Sequence, residues 1–175
     1  MSKSCIVCGR DIHSKRVDAK FCSGRCRVSH HRSKALPTEM TAAPRWVVRD
    51  ARKRPLVASS GRLASSTDSA TWTTYAEAKK SPHGVGLGFV LGNGVGCVDL
   101  DYCFNGGVLE PWAADVIAGI EDPLFIERSQ SGEGVRIFAL MDRGQGRVIR
   151  DGRNIEIYPP DSGRYIAVTG DRLKL

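Results

Sequence analysis

The sequence predicts an α+β fold with a mainly antiparallel sheet, preceded by a small cysteine-bearing module. Three observations carry this expectation. Short runs rich in Val, Ile, Phe and Leu alternate with a period of two and outnumber the helical patterns. Glycine is frequent, 19 of 175 residues, as a chain of tight turns requires. Four of the six cysteines stand as two close pairs near the amino terminus. The length suits one ordinary domain plus a small appendage. With 41% hydrophobic and 26% charged residues the composition is that of a soluble globular chain. No apolar run reaches membrane-spanning length, and MSKSCIVCGR lacks the apolar core of a signal peptide. A reducing cytoplasm is therefore expected, with cysteines acting as metal ligands or free thiols.

The first module covers residues 1–36. Cys5-x2-Cys8 is followed, after thirteen residues, by Cys22-x3-Cys26. Two close thiolate pairs on either side of a short loop suit a tetrahedral structural Zn²⁺ site. Gly9 fits the knuckle after the first pair. A helix from Ser23 would set Cys22 and Cys26 on one face and continue through Arg25, Arg27, His30, His31, Arg32 and Lys34 to Pro37. The module has almost no large hydrophobes, so metal is its expected source of stability; four unrelated thiols are the alternative. The chain's net charge of +7 resides here, because residues 1–37 hold nine Lys/Arg against Asp11 and Asp18 while the rest is neutral. A basic module ahead of a neutral body points to a polyanion, nucleic acid first. A basic face serving only solubility is the other reading.

Residues 37–44, small and proline-bounded, read as a linker to a body at 45–175. Arg45–Val48 is a strand and Arg52–Pro55 a basic loop; residues 58–71 are irregular. Thr74-x-x-Glu77 is a capping box opening a short helix. Gly86–Leu91, Gly92-Asn93-Gly94 and Val95–Asp101 predict a β-hairpin about an Asn-Gly turn. Pro111 opens a helix over Trp112–Ile120, stopped by Asp122-Pro123. Phe125–Arg128, Val135–Leu140, Asn154–Tyr158 and Arg164–Val168 complete the strands.

Chemistry concentrates in this second half. In Val98-Asp99-Leu100-Asp101 the apolar side chains take one face and both carboxylates the other. Like charges at that spacing repel, and a divalent cation between them relieves the repulsion. Ile155-Glu156-Ile157 turns a third acid away from the core. Three carboxylates favour Mg²⁺ or Mn²⁺ over zinc and suit phosphoryl transfer; an Asp-x-Asp alone fits a solvated polar face at least as well. Ser129–Arg136 leads hydroxyls and glycines into a strand, where exposed amides can cradle phosphate and Arg136 can hold it bidentately. Such loops are also common as plain β-turns. Cys97 and Cys103 read as packing thiols.

In this order the motifs resemble the archaeo-eukaryotic primase superfamily, closest to the primase-polymerase domain of phage and plasmid replication proteins. Its hydrophobic-Asp-hydrophobic-Asp strand is matched by Val98–Asp101. Its Ser-Gly-x-Gly-x-His motif is matched by Ser131–Val135 with Arg136 in the histidine position, and its hydrophobic-flanked acid by Glu156. Lys53-x-Pro55, Thr71-Trp72, the Gly84–Leu91 run and Arg164-Tyr165 leading to Thr169-Gly170 agree with it. The first module is similar to zinc fingers ending in Phe-Cys-Ser-x-x-Cys-Arg, here Phe21 to Arg27. The resemblance implies an RRM-like core and template-directed nucleotidyl transfer from NTP or dNTP to a 3′-hydroxyl. It implies Asp99, Asp101 and Glu156 as catalytic ligands of Mg²⁺ or Mn²⁺. It implies Ser131, Gly132, Gly134, Arg136, Arg164 and Lys53 as nucleotide contacts. The partners it implies are single-stranded DNA, a replicative helicase or a separate replication protein, in a bacterial host cytoplasm for a phage-encoded chain. The sequence ends five residues after Thr169-Gly170, where relatives continue, so a shortened catalytic domain is expected. Two alternatives stay open: a catalytically weak DNA-binding replication accessory protein, and an Asp-x-Asp glycosyltransferase, which has no use for the finger or Glu156.

Overall fold

Along Trp46–Arg49, Trp46 and Val48 face one side of the backbone and Val47 and Arg49 the other, and the large apolar pair decides which side becomes core. This strand is β1 in the computed structural model of the chain, which describes residues 3–28 and 35–173. The chain divides into two units, Met1–Ala35 and Leu36–Leu175. Among the described residues no helix is long and apolar enough to cross a membrane.

In the first unit the backbone folds back at Gly9, whose φ of +69° suits glycine, and the Gly9 amide donates to the Cys5 carbonyl at 2.9 Å. Ile12 is its one large buried aliphatic residue among those described. Residues 24–28 are helical, and the Ser23 hydroxyl caps them by accepting from the Cys26 amide at 3.2 Å. The expected continuation through His30, His31, Arg32 and Lys34 lies outside the described residues.

The second unit is mixed α/β, with few helices and antiparallel sheets. Its elements are α1 (Thr38–Thr41), β1, β2 (Pro55–Leu56), α2 (Tyr75–Lys80), β3 (Gly86–Val90), β4 (Val95–Asp101), β5 (Phe104–Asn105), β6 (Val108–Leu109), α3 (Pro111–Ala118), β7 (Phe125–Arg128), β8 (Val135–Leu140), β9 (Arg147–Arg150), β10 (Asn154–Tyr158) and β11 (Tyr165–Val168). One sheet runs β11-β3-β1-β2, a second runs β7-β8-β4-β10-β9, and β5-β6 form a small ribbon. The main core contains Trp46, Val48, Phe89, Ile166 and Val168 of the first sheet together with Val95, Cys97, Phe125 and Phe138 of the second. A second cluster lies on the opposite face of the five-stranded sheet, where Val98, Leu100, Ile137 and Ile155 meet Ala113 and Ile117 of α3.

Two expectations are corrected. The Asn-Gly turn forms, with φ of +53° at Asn93 and +80° at Gly94, but β3 and β4 do not make a hairpin ladder. They leave the turn into different sheets after one mutual bridge between Gly92 and Val95. Arg45 stands at the divergence, donating Nε to the Val90 carbonyl at 3.0 Å and Nη2 to the Leu91 carbonyl at 2.6 Å. Residues 37–44 are not a loose linker either. They carry α1, Met40 is buried in the main core, and its carbonyl accepts from the Trp46 indole at 2.9 Å. The capping box at Thr74 and Glu77 is present, and Pro111 opens α3.

Phe89 is fully buried and meets Trp46 edge-on, with ring centroids 5.2 Å apart. Phe89→Ala should cost about 3–5 kcal/mol, read as a lower urea midpoint; a shift under ~1 kcal/mol would mean that this junction is loosely packed.

Candidate functional site

Two sites emerge, one in each unit. In the first, the sulfurs of Cys5, Cys8, Cys22 and Cys26 all lie within 4.8 Å of one another. The Cys8–Cys22, Cys22–Cys26 and Cys26–Cys8 separations are 3.5, 3.4 and 3.8 Å. Zn–S bonds of about 2.3 Å in tetrahedral array set sulfurs about 3.8 Å apart, so the four could hold a structural metal such as zinc. Burial works against ionising Cys5, yet the amides of Cys22, Cys8 and Val7 draw its thiol down to about 6. Its hydrogen bond with the Cys22 sulfur pushes the Cys26 thiol up to about 11. Arg16, Lys20 and Arg27, together with Asp18, border a depression of about 230 Å³ in the same unit.

In the second unit the register decides the site. Phe125, Phe138, Cys97 and Tyr158 are successive partners across β7, β8, β4 and β10. Two residues further along each strand, on the same face, Glu127, Arg136, Asp99 and Glu156 are partners in the same way. An apolar rung that belongs to the core thus adjoins a charged rung.

Arg136 is the centre of that rung. Its side chain is only 7% exposed. Nε donates to Asp99 Oδ2 at 3.4 Å, Nη1 donates to the Ala167 carbonyl of β11 at 2.7 Å, and Glu127 Oε1 is 4.0 Å from Nη1. Glu127, fully buried, accepts from the amides of Thr169 at 2.9 Å and Gly170 at 2.8 Å and from the Thr169 hydroxyl at 2.9 Å. Burial raises the Glu127 carboxyl above its usual range, against the pull of those donors and of Arg136. Asp99 is likewise raised by burial, with Arg136 pulling the other way and Asp101 adding to the rise. Asp99 Oδ1 is buried and has no hydrogen-bond partner. These clamps tie β8 and β7 of the second sheet to β11 of the first and to the turn that follows it.

Lys53, Asp99, Asp101, Arg136, Tyr158, Arg164 and Tyr165 line a cleft of about 260 Å³ with Ile166 and Ala167. Lys53 has a φ of +62°, and its carbonyl accepts from the Tyr165 hydroxyl. The Arg164 guanidinium lies 5.1 Å from the centre of the Tyr158 ring. Asp101 ends β4, opposite Asn154.

Other expected site residues are placed differently. Glu156 is directly opposite Asp99, but its carboxylate is turned to Arg150 and the Tyr158 hydroxyl. The Tyr158 bond draws Glu156 down against burial, with Arg150 adding to the pull, and Tyr158 is pushed up to about 12 by burial and by Glu156. Among the described residues the cysteines are the only group of three or more metal-donor side chains whose ligand atoms gather this closely, so the three carboxylates do not form a ready cage. The loop at Ser131, Gly132 and Gly134 is not an open cradle. Gly132 donates to the Ser129 carbonyl at 3.0 Å, Glu133 to the Ser131 hydroxyl at 3.4 Å and Gly134 to the Ser129 hydroxyl at 3.0 Å. These three amides are spent on the turn that leads into β8 and Arg136. Gly134 is glycine because a Cβ there would lie 2.7 Å from the Leu100 carbonyl. Sequence reasoning missed Glu127; the one available signal was an acid in the same alternation phase as buried Phe125.

No protein-family model matches the chain, and no curated protein matches it.

Elemental analysis of reduced, purified protein should find one zinc per chain. Cys8→Ser should lower that content and loosen residues 1–35 towards protease; a zinc content near zero rules the site out. Glu127→Gln keeps the shape but offers an amide to three donors and a guanidinium. It should destabilise the second unit by about 1–3 kcal/mol, and an unchanged thermal midpoint would mean that the clamp carries no stability.

Proposed function

We propose that the chain is a primase-polymerase module: an RRM-like α+β core performing metal-dependent, template-directed nucleotidyl transfer, with a basic zinc finger ahead of it. The observation that carries this reading is Asp99 Oδ1, a buried carboxylate oxygen without a partner, beside Asp101 in a cleft whose lining also includes Lys53, Arg136 and Arg164. A carboxylate pair facing three cations suits a divalent cation and a polyphosphate bound side by side. Mg²⁺ or Mn²⁺ held by Asp99 and Asp101 would neutralise charge on the attacking 3′-oxygen and on the departing pyrophosphate.

The residues of the chain do the rest. Lys53 and Arg164 take triphosphate oxygens. Arg136 fixes Asp99 through Nε and keeps Nη2 for the nucleotide. The 3′-hydroxyl gives up its proton to solvent water, its oxygen bonds to the α-phosphorus, the bond from that phosphorus to the oxygen bridging to the β-phosphate breaks, and pyrophosphate leaves. Glu156 would help hold the ion only on giving up Arg150 or Tyr158. The finger, with Arg16, Lys20 and Arg27 on its surface, holds single-stranded template through phosphates, and a helicase or separate replication protein completes the machinery. A second reading, a DNA-binding replication accessory protein, is favoured by one observation: Glu156 is engaged away from Asp99.

Primer synthesis on single-stranded DNA with labelled NTPs and dNTPs tests the reading, alongside Mn²⁺ titration. Asp99→Asn and Asp101→Asn should each weaken Mn²⁺ binding about tenfold or more and abolish detectable primer synthesis. Variants that bind Mn²⁺ and nucleotide as tightly as the parent would reduce the acidic strand to a solvated face. DNA and nucleotide binding by the parent without any primer would favour the accessory protein.

A further inference from the structure

Besides its sulfurs, the first unit carries two depressions, of about 230 and 430 Å³, that share Arg16, Ala19, Phe21 and Arg27 as lining residues. The four shared residues make them two parts of one recess. Lys20 adds to the lining of the smaller part, and Lys15 and Ser23 to that of the larger. The larger part falls in the range of about 300–1,000 Å³ that small ligands fill. Backbone bonds fix both walls. In one, the Arg16 carbonyl accepts from the Ala19 amide at 2.9 Å and from Lys3 Nζ, and the Lys20 carbonyl accepts from the Ile6 amide at 3.1 Å. In the other, the Arg27 amide donates to the Ser23 carbonyl at 3.1 Å. Ile6 lies between Cys5 and Cys8, and Ser23 between Cys22 and Cys26, so the gathered sulfurs join the two walls.

The lining names the ligand. Lys15, Arg16, Lys20 and Arg27 are exposed cations, and Asp18 is the one acid among the lining residues. That excess calls for an anion. Phe21 is half-buried and adds an aromatic surface, and guanidinium groups are themselves planar and stack on flat rings. A nucleotide of a single strand answers both demands, with a phosphate for the cations and a π-face for the ring. A duplex hides that face in its own stack, and an acidic peptide lacks it.

We infer that this recess takes one unstacked base of a single-stranded nucleic acid on Phe21, with the neighbouring phosphates held by Arg16, Lys20 and Arg27. That the strand is the template rests on the reading of the finger given above; the stacking site rests on the recess itself. Phosphate contacts alone hold any polyanion, whereas a stacked base makes the grip selective for a strand whose bases are free.

Labelled oligo(dT) and a strand of equal length and charge built from abasic sugars are titrated onto the zinc-loaded full chain, with fluorescence anisotropy as the readout. The parent should bind oligo(dT) about tenfold more tightly than the abasic strand. Phe21→Leu should erase that preference and leave the abasic affinity unchanged, and Phe21→Trp should keep it. Ala19→Leu, which adds bulk to a residue lining both depressions and leaves the ring alone, should act as Phe21→Leu does. Arg16→Gln and Arg27→Gln should weaken both strands alike, each lowering the slope of log K against log salt by about 0.7. Zinc content shows which variants keep the fold, and Ala19→Leu decides where Phe21→Leu loses its metal. Equal affinity of the parent for the two strands overturns the inference, as does a preference for oligo(dT) that survives in both leucine variants. Polyglutamate that displaces oligo(dT) as readily as the abasic strand does would make the recess a surface for acidic protein and overturns it too. A parent without the preference, whose salt slope still falls with Arg16→Gln and Arg27→Gln, sinks the stacking site and leaves the finger's hold on phosphates standing. DNA affinity indifferent to every variant sinks that hold as well.

Discussion

Arg136 joins the two sheets of the second unit at the point where their shared core ends. From near the start of β8 it reaches the Ala167 carbonyl on β11, with Asp99 on one flank and Glu127 on the other. Beyond the apolar rung of Phe125, Phe138, Cys97 and Tyr158, hydrophobic contact no longer holds the sheets, and charge-assisted hydrogen bonds take over. Glu127 extends the clamp by receiving Thr169 and Gly170 just past β11. The cleft exists because this clamp fixes the distance between the sheets without filling the space in front of Asp99 and Asp101.

The rung also sets the electrostatics. A guanidinium flanked by two carboxylates is stable in a buried place only when its donors and their acceptors are nearly all matched. Arg136 satisfies one oxygen of Asp99 and leaves the other without a partner. Asp101, two residues along, adds negative charge and makes no ion pair among the described residues, while Glu156 is balanced by Arg150. Within the cleft the negative charge is gathered at Asp99 and Asp101, and the positive charge at Lys53, Arg136 and Arg164. The lining is therefore mostly charged and aromatic-polar rather than apolar.

The first unit rests on different physics. Ile12 is its one large buried aliphatic residue among those described, far too little apolar surface to order some 35 residues by burial alone. The four gathered sulfurs could hold a structural metal such as zinc, a cross-link of the kind that stands in for a core, and the same segment of sequence carries the chain's excess of positive charge.

The sequence by itself determined what is local. Period-two alternation located most of the strands, assigned Val98 and Leu100 to one face and both aspartates to the other, and the cysteine spacing anticipated the sulfur cluster. Caps at Thr74 and Pro111 are set by neighbouring residues and were legible for the same reason. Pairing was decided only in the tertiary structure. The Asn93-Gly94 turn is locally a hairpin turn, yet its flanking strands enter different sheets, because Arg45 occupies the carbonyls of Val90 and Leu91 and each strand finds more distant partners. Met40 lay hidden in a segment of linker composition because one buried side chain leaves no period to detect. The burial of Glu127 and Arg49 was invisible because it depends on what lies across the sheet: Glu127 meets a partner 42 residues away, and Arg49 lies opposite Gly86. Alternation tells which side of a strand a residue faces, and only the register between strands tells what it faces.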